Sequence, residues 1–224
     1  MKKNLGTFLG LSSWGVGAAL LALCAFTPLS RADVIVDNTA RPLIGSDGNV
    51  PTAQVFTMPT SGAATYTISS LTLSLGAGSS GTAEVYVYNA TSGNPPSLGY
   101  NGGGNALYDL GSVNGATGVV NLTSPSSDIL SLSGTYAIVL AGSGTISWDY
   151  TTTAGNSNVG ATGTLGGSYD WSGTTWGINS GQFFQMDLNA TPVPEVPMTG
   201  AVMGLGTLAI ALGTALRRKI WAAV

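Results

Sequence analysis

The sequence predicts an all-β protein, an antiparallel β-sandwich or jelly roll, flanked by an N-terminal signal peptide and a C-terminal transmembrane helix. Three observations lead there. Two-residue alternation of apolar and polar side chains recurs through the middle of the 224-residue chain. Clusters rich in Gly and Asn separate the alternating segments. Long uncharged apolar runs with cations beside them occur at the two ends only.

The alternating segments come first in the argument because they set the fold. In "YTISSLTLSLG" Leu71, Leu73 and Leu75 alternate with Thr and Ser. In "TAEVYVYNAT" Val85 and Val87 alternate with Glu84, Tyr86 and Tyr88. Tyr136, Ile138 and Leu140 share one face of the next segment, and Ile146, Trp148 and Tyr150 one face of another. Phe184, Met186 and Leu188 do the same near the end of the body. Side chains of this kind, half of them apolar and many aromatic or β-branched, suit half-buried strands. The separators "GAGSSG", "SGNPP", "NGGGN" and "AGSGT" supply turns. No segment before Gly200 carries a 3.6-residue period, so no crossover helix is expected and every pairing should be antiparallel. About ten strands at roughly ten-residue spacing are enough for two packed sheets.

The N-terminal segment has three parts. Lys2 and Lys3 are followed by an apolar stretch from Trp14 to Phe26, then by Pro28, with Ser30 and Ala32 ahead of Asp33. Small residues at those two places mark a signal-peptidase cut before Asp33. The alternative is an N-terminal membrane helix that stays; the run is short for a span. Residues 1–32 are therefore read as a signal peptide, 33–191 as the sandwich domain and 192–224 as a separate tail.

The tail places prolines and one acid before an apolar run that ends in cations. Gly200 to Leu216 holds no charge; at ~1.5 Å per residue it reaches ~26 Å, just under a ~30 Å hydrocarbon core. It has no polar face, as a helix on a soluble core would. Its four glycines weaken it in water but are tolerated between membrane helices. Arg217, Arg218 and Lys219 would stop transfer and hold the C-terminus in the cytoplasm.

These residues resemble a known family of sorting signals. "PVPEVPMTG…LRRK" is similar to the PEP-CTERM signal of Gram-negative bacteria, a Val-Pro-Glu-Pro-like motif followed by one apolar helix and an Arg-rich end. The matching residues are Val193, Pro194 and Glu195, with Pro197 displaced by Val196. The resemblance implies recognition by an exosortase, a membrane-embedded cysteine transpeptidase. "VPMTG" within the same stretch resembles the Leu-Pro-x-Thr-Gly sortase signal, and a permanent single-pass anchor is the third reading. The body, from "VIVDN" through "FFQMDLNATP", resembles the choice-of-anchor β-domain family of the R type. That implies a sandwich on an exported bacterial protein and brings no catalytic motif. The implied location is the cell envelope or the extracellular matrix, with transient or permanent anchorage in the inner membrane.

Composition excludes several functions. Between the two ends one cation, Arg41, faces nine acids, a balance of about −8. Such a body repels nucleic acid and anionic lipid. The chain has no His, and its single cysteine, Cys24, lies in the leader. Ser-His-Asp and Cys-His catalysis therefore lack their base, and zinc lacks its usual ligands. No enzymatic activity, cofactor or metal is expected.

Two candidate binding features remain. Trp171 and Trp176 flank "SGTT", a hairpin turn, with Asp170 beside them. An aromatic platform next to a carboxylate suits a sugar, and extracellular polysaccharide is the partner this would imply. Alternation puts Trp148 and Tyr150 on a core face, leaving Asp149 outside. "DNTARPLIGSDGN" gathers Asp37, Asn38, Asp47 and Asn49, an oxygen-rich loop that suits calcium but fits no known spacing. The bland reading is that these residues form turns. Asn89, Asn121 and Asn189 match the N-glycosylation acceptor pattern, which in a chain this rich in Ser, Thr and Asn carries little information.

Overall fold

The computed structural model describes residues 31–48, 51–90, 105–115, 118–124 and 128–194, without the side chains of 143 and 144. The chain divides into two compact units, Met1–Arg31 and Ala32–Val224. Of the first, only Arg31 is among the described residues. The apolar runs at both ends, with Glu195, Pro197, Arg217, Arg218 and Lys219, lie outside them. Among the described residues no helix is long and apolar enough to cross a membrane.

The second unit is built from strands: β1 (Asp33–Asp37), β2 (Gly45–Asp47), β3 (Thr52–Thr57), β4 (Thr65–Leu75), β5 (Ser80–Asn89), β6 (Tyr108–Asn114), β7 (Gly118–Thr123), β8 (Ile129–Ser131), β9 (Thr135–Thr145), β10 (Trp148–Thr151), β11 (Thr164–Trp171), β12 (Trp176–Asn179), β13 (Phe183–Phe184) and β14 (Met186–Pro192). They form two sheets. The first runs β1-β14-β4-β10-β13, with β7 and β8 also on β4 and β2 on β10. The second runs β12-β11-β3-β9-β5-β6. Every pairing among the described residues is antiparallel.

The alternating segments bury the faces that the sequence assigns to the core. Leu71, Leu73 and Leu75 of the first sheet meet Val85, Val87, Ile138 and Leu140 of the second in one apolar cluster. Phe184, Met186, Leu188, Ile146 and Trp148 complete it, all fully buried. The two sheets thus pack face to face over a shared core. Trp148 stacks on Phe184 with ring centroids 4.8 Å apart, and its indole N–H donates to the Gln185 carbonyl at 2.9 Å.

Alternation in β4 breaks once. Ile68 and Leu71 are both core residues, and the pairing with β14 shifts between Asn189 and Ala190. Ser69 is the extra residue of this bulge, and its hydroxyl lies 2.6 Å from that of Thr191.

Two local expectations are refined. Asp149 does face away from Trp148, but it is buried rather than outside: its carboxylate accepts from the Ser46 and Ser74 hydroxyls, both at 2.6 Å. The second sheet is apolar on both faces. Ala53, Val55, Tyr88, Ala137, Val139, Ala141, Tyr169 and Trp176 form a second buried cluster on its outer side. The reason is visible in "TYAIVLA" of β9, where both alternating sets are apolar.

Candidate functional site

The hairpin joining β11 and β12 carries the predicted aromatic pair. Its turn is closed by Ser172, whose N–H donates to the Thr175 carbonyl and whose hydroxyl bonds the same residue. Gly173 takes φ 95°, a left-handed backbone that glycine adopts without strain. The register then sets Trp171 directly opposite Trp176, with ring centroids 5.4 Å apart and planes tilted by 56°. Trp176 is buried and Trp171 half-buried.

Pairing extends this feature across the sheet. Tyr169 lies opposite Ala53, Ala53 opposite Val139, and Val139 opposite Tyr86. Two small residues therefore separate two aromatic ones over three strand spacings, about 14 Å at ~4.8 Å each. Tyr86 and Tyr88 meet edge to face at 6.3 Å. Burial raises the Tyr86 hydroxyl above its ordinary value, and the charges of Asp109 and Glu84 raise it further. The outer face of the second sheet is thus a shallow band of aromatic rings around a floor of Ala and Val. Its aromatic side chains are largely buried, with Trp171 and Tyr86 the more accessible members. The same alternation that places Val85 and Val87 on the core face groups Tyr86 with Tyr88 on the outer one.

Asp170 does not join the two tryptophans. It alternates to the inward face of β11, opposite Thr52 of β3 and Gly177 of β12. Burial is the main cause that pushes its carboxyl up to about 6; nearby Asn179 pulls it down, and the charge of Asp47 pushes it up. The three residues grouped by the sequence therefore belong to opposite faces of one sheet.

The oxygen-rich segment also divides. Asp37 accepts from the N–H and hydroxyl of Thr39 at 2.9 and 2.7 Å, a side-chain-closed turn. Asn38 is buried and bridges the end of β14: its amide donates to the Phe184 carbonyl at 3.1 Å and accepts from the Met186 N–H at 2.8 Å. Asp47 sits apart from both, in β2 opposite the core residue Trp148. Asn49 lies outside the described residues. Among the described residues no three His, Cys, Asp or Glu side chains gather as a metal cluster.

The segment expected to carry the sorting motif, from Val193, starts where β14 ends. The Val193 N–H donates to the Thr65 carbonyl at 3.0 Å, and Pro194 follows without a strand partner among the described residues.

No protein-family model matches the chain, and no curated protein matches it. Among solved structures it is similar to the cysteine protease and lectin-like domains of Cwp84, a surface layer associated protein of Clostridium difficile, with a TM-score of 0.45 and 15% identity. The match covers 66% of this chain and 33% of that one, so the chain spans about a third of that neighbour's length. At that level of likeness the neighbour assigns neither a fold nor a ligand.

Proposed function

We propose that this chain is a non-enzymatic, exported surface or extracellular-matrix protein. Its signal peptide directs export, and an exosortase-type transpeptidase processes the tail that begins at Val193. One observation carries the reading: the β body begins and ends where the two routing segments meet it. The first strand opens at Asp33, directly after the expected cut, and β14 closes at Pro192, directly before Val193. These two strands pair with each other, Asp33 opposite Ala190. A cut at either junction would remove no strand; a cut ahead of Val193 gives up its N–H bond to the Thr65 carbonyl, and a cut beyond the Val193–Pro197 motif keeps it.

Intact mass of the mature protein from its native host tests this. The expected mass lacks residues 1–32 and the tail beyond the Val193–Pro197 motif. A mass that retains residues 200–224 would leave a plain membrane anchor and remove the processing step.

A second reading, a carbohydrate-binding module at the cell envelope, is favoured by the Trp171–Trp176 pair at a sheet edge with Trp171 half-buried. Stacking on sugars needs an accessible ring, and Trp171 is the less buried member of the pair. Polysaccharide pull-down by the wild type, lost in Trp171→Ala, supports this reading; a wild type that retains no polysaccharide removes it.

A further inference from the structure

Most buried polar groups among the described residues are bonded, and several of those that are not gather in one corner. Gln54, fully buried on the inward face of β3, donates to the Val55 and Gly166 carbonyls and accepts from the Phe184 N–H at 2.8 Å. Asn38 is bonded on both sides of its amide. One residue pair along from Gln54 the pattern stops. Thr52 is 0% exposed, and its hydroxyl makes no hydrogen bond among the described residues. The same holds for Oδ1 of Asp170 and Oε1 of Gln182, both shielded from solvent. Buried polar atoms without partners are rare, and each calls for an explanation.

The strand pairings bring these residues together near the β11–β12 edge of the second sheet. Thr52 and Asp170 are direct cross-strand partners, which sets their Cβ atoms ~5 Å apart on one face. Asn179 is opposite Ser168, one diagonal step from Asp170. The Gln182 carbonyl accepts from the Ser168 hydroxyl at 2.8 Å, which ties the turn after β12 to the same place. From the other sheet Asp47 points inward, since it is paired with the core residue Trp148. Its charge is felt at Asp170. Two carboxylates thus approach from opposite sheets across a gap of ~10 Å.

We infer that this corner is a cation site that takes a hard divalent ion of the calcium class. Asp47 and Asp170 supply charge, Thr52 a hydroxyl oxygen, and the amide oxygen of Gln182 completes an all-oxygen set. The ligands contain no nitrogen or sulfur donor, which argues against zinc or copper. Irregular side-chain oxygens at ~2.3–2.6 Å suit calcium, whereas magnesium demands a tight octahedron at ~2.0–2.1 Å. An ion there would offset the repulsion of two facing carboxylates and engage the orphaned oxygens of Thr52 and Gln182 at once.

The test is thermal unfolding of the exported protein after chelation, titrated with calcium chloride and separately with magnesium chloride. The expected result is a calcium-dependent rise in Tm of several degrees, weaker with magnesium, and a stoichiometry of one ion per chain by calorimetry. Asp170→Asn should abolish the rise. Thr52→Val, which keeps the shape, should weaken it at least tenfold in midpoint concentration and carries the test alone if Asp170→Asn fails to fold. Absence of any shift in the wild type overturns the proposal, as does a shift that survives both substitutions.

Discussion

Trp148 is the residue whose replacement most directly probes how the two sheets are joined. Its ring is fully buried, stacked on Phe184 at 4.8 Å, and its N–H donates to the Gln185 carbonyl at 2.9 Å. Trp148→Phe keeps an aromatic stack but deletes that bond. The Gln185 carbonyl also accepts from the Ser74 N–H at 3.3 Å, so it is not orphaned, and the lost bond costs about 1 kcal/mol. The smaller ring adds a void of ~40 Å³, worth another ~1 kcal/mol at ~24 cal/mol per Å³. Trp148→Phe should therefore destabilise by about 2 kcal/mol, and Trp148→Ala by ~4–6 kcal/mol once the stacking is gone too. That is a large share of a typical total of ~5–15 kcal/mol. Urea unfolding followed by circular dichroism reads both values from the midpoint at constant slope. A Trp148→Phe protein within ~0.5 kcal/mol of wild type would refute the account, because surface replacements commonly cost no more than that.

Other positions give sharper, smaller tests. A Cβ on Gly142 would press on the Thr82 carbonyl oxygen and lie 2.5 Å from Ala83 Cα, both backbone atoms of the neighbouring strand. Gly142→Ala should lower stability by ~1–3 kcal/mol in the same urea assay, since backbone cannot swing aside. Asp187 lies opposite Asp37 in the β1–β14 ladder. Burial raises its carboxyl above the ordinary 3.8, Asn189 lowers it and Asp37 raises it. A carboxyl raised on folding disfavours the folded state once ionised, so stability should rise as pH falls from the folded value toward 3.8 and change no further below it. Asp187→Asn should flatten that rise, as measured by Tm across pH 4 to 7. Tyr86→Phe should leave any polysaccharide retention intact while Trp171→Ala removes it, because only the second deletes a ring face.

The core was legible because its signal is periodic. Leu71, Leu73, Leu75, Ile138, Leu140, Met186 and Leu188 are buried where a period of two puts them. The second apolar cluster was less legible, since "TYAIVLA" reads as a continuous apolar run and a continuous run does not say which elements lie on either side. The candidate site was legible in part. The hairpin turn at Ser172 and Gly173 is written locally in "SGTT", so the pairing of Trp171 with Trp176 follows from the sequence. Asp170 was grouped with them by proximity in sequence, although a period of two sends it to the other face. Its meeting with Thr52 and Asp47 rests on pairings between segments more than a hundred residues apart, which no local pattern encodes. The buried state of Asp149 has the same origin, in hydroxyls supplied by Ser46 and Ser74 from two other strands.

The proposed export and the proposed cation site bear on each other through affinity. Two carboxylates with neutral oxygens make a weakly charged site, and calcium sites on extracellular modules bind at ~10⁻⁴–10⁻³ M, whereas cytosolic buffers reach ~10⁻⁹–10⁻⁸ M. A site in the first range stays empty in the cytoplasm and fills outside. The two inward carboxylates would then repel one another until the ion offsets their charge. By linkage, calcium at a hundred times its dissociation constant adds ~2.7 kcal/mol to stability. The calorimetric midpoint decides the matter. A dissociation constant near 10⁻⁴ M or weaker fits a stabilisation that begins outside the cell; one below 10⁻⁷ M would have the ion bound before export and break the link between the site and the protein's destination.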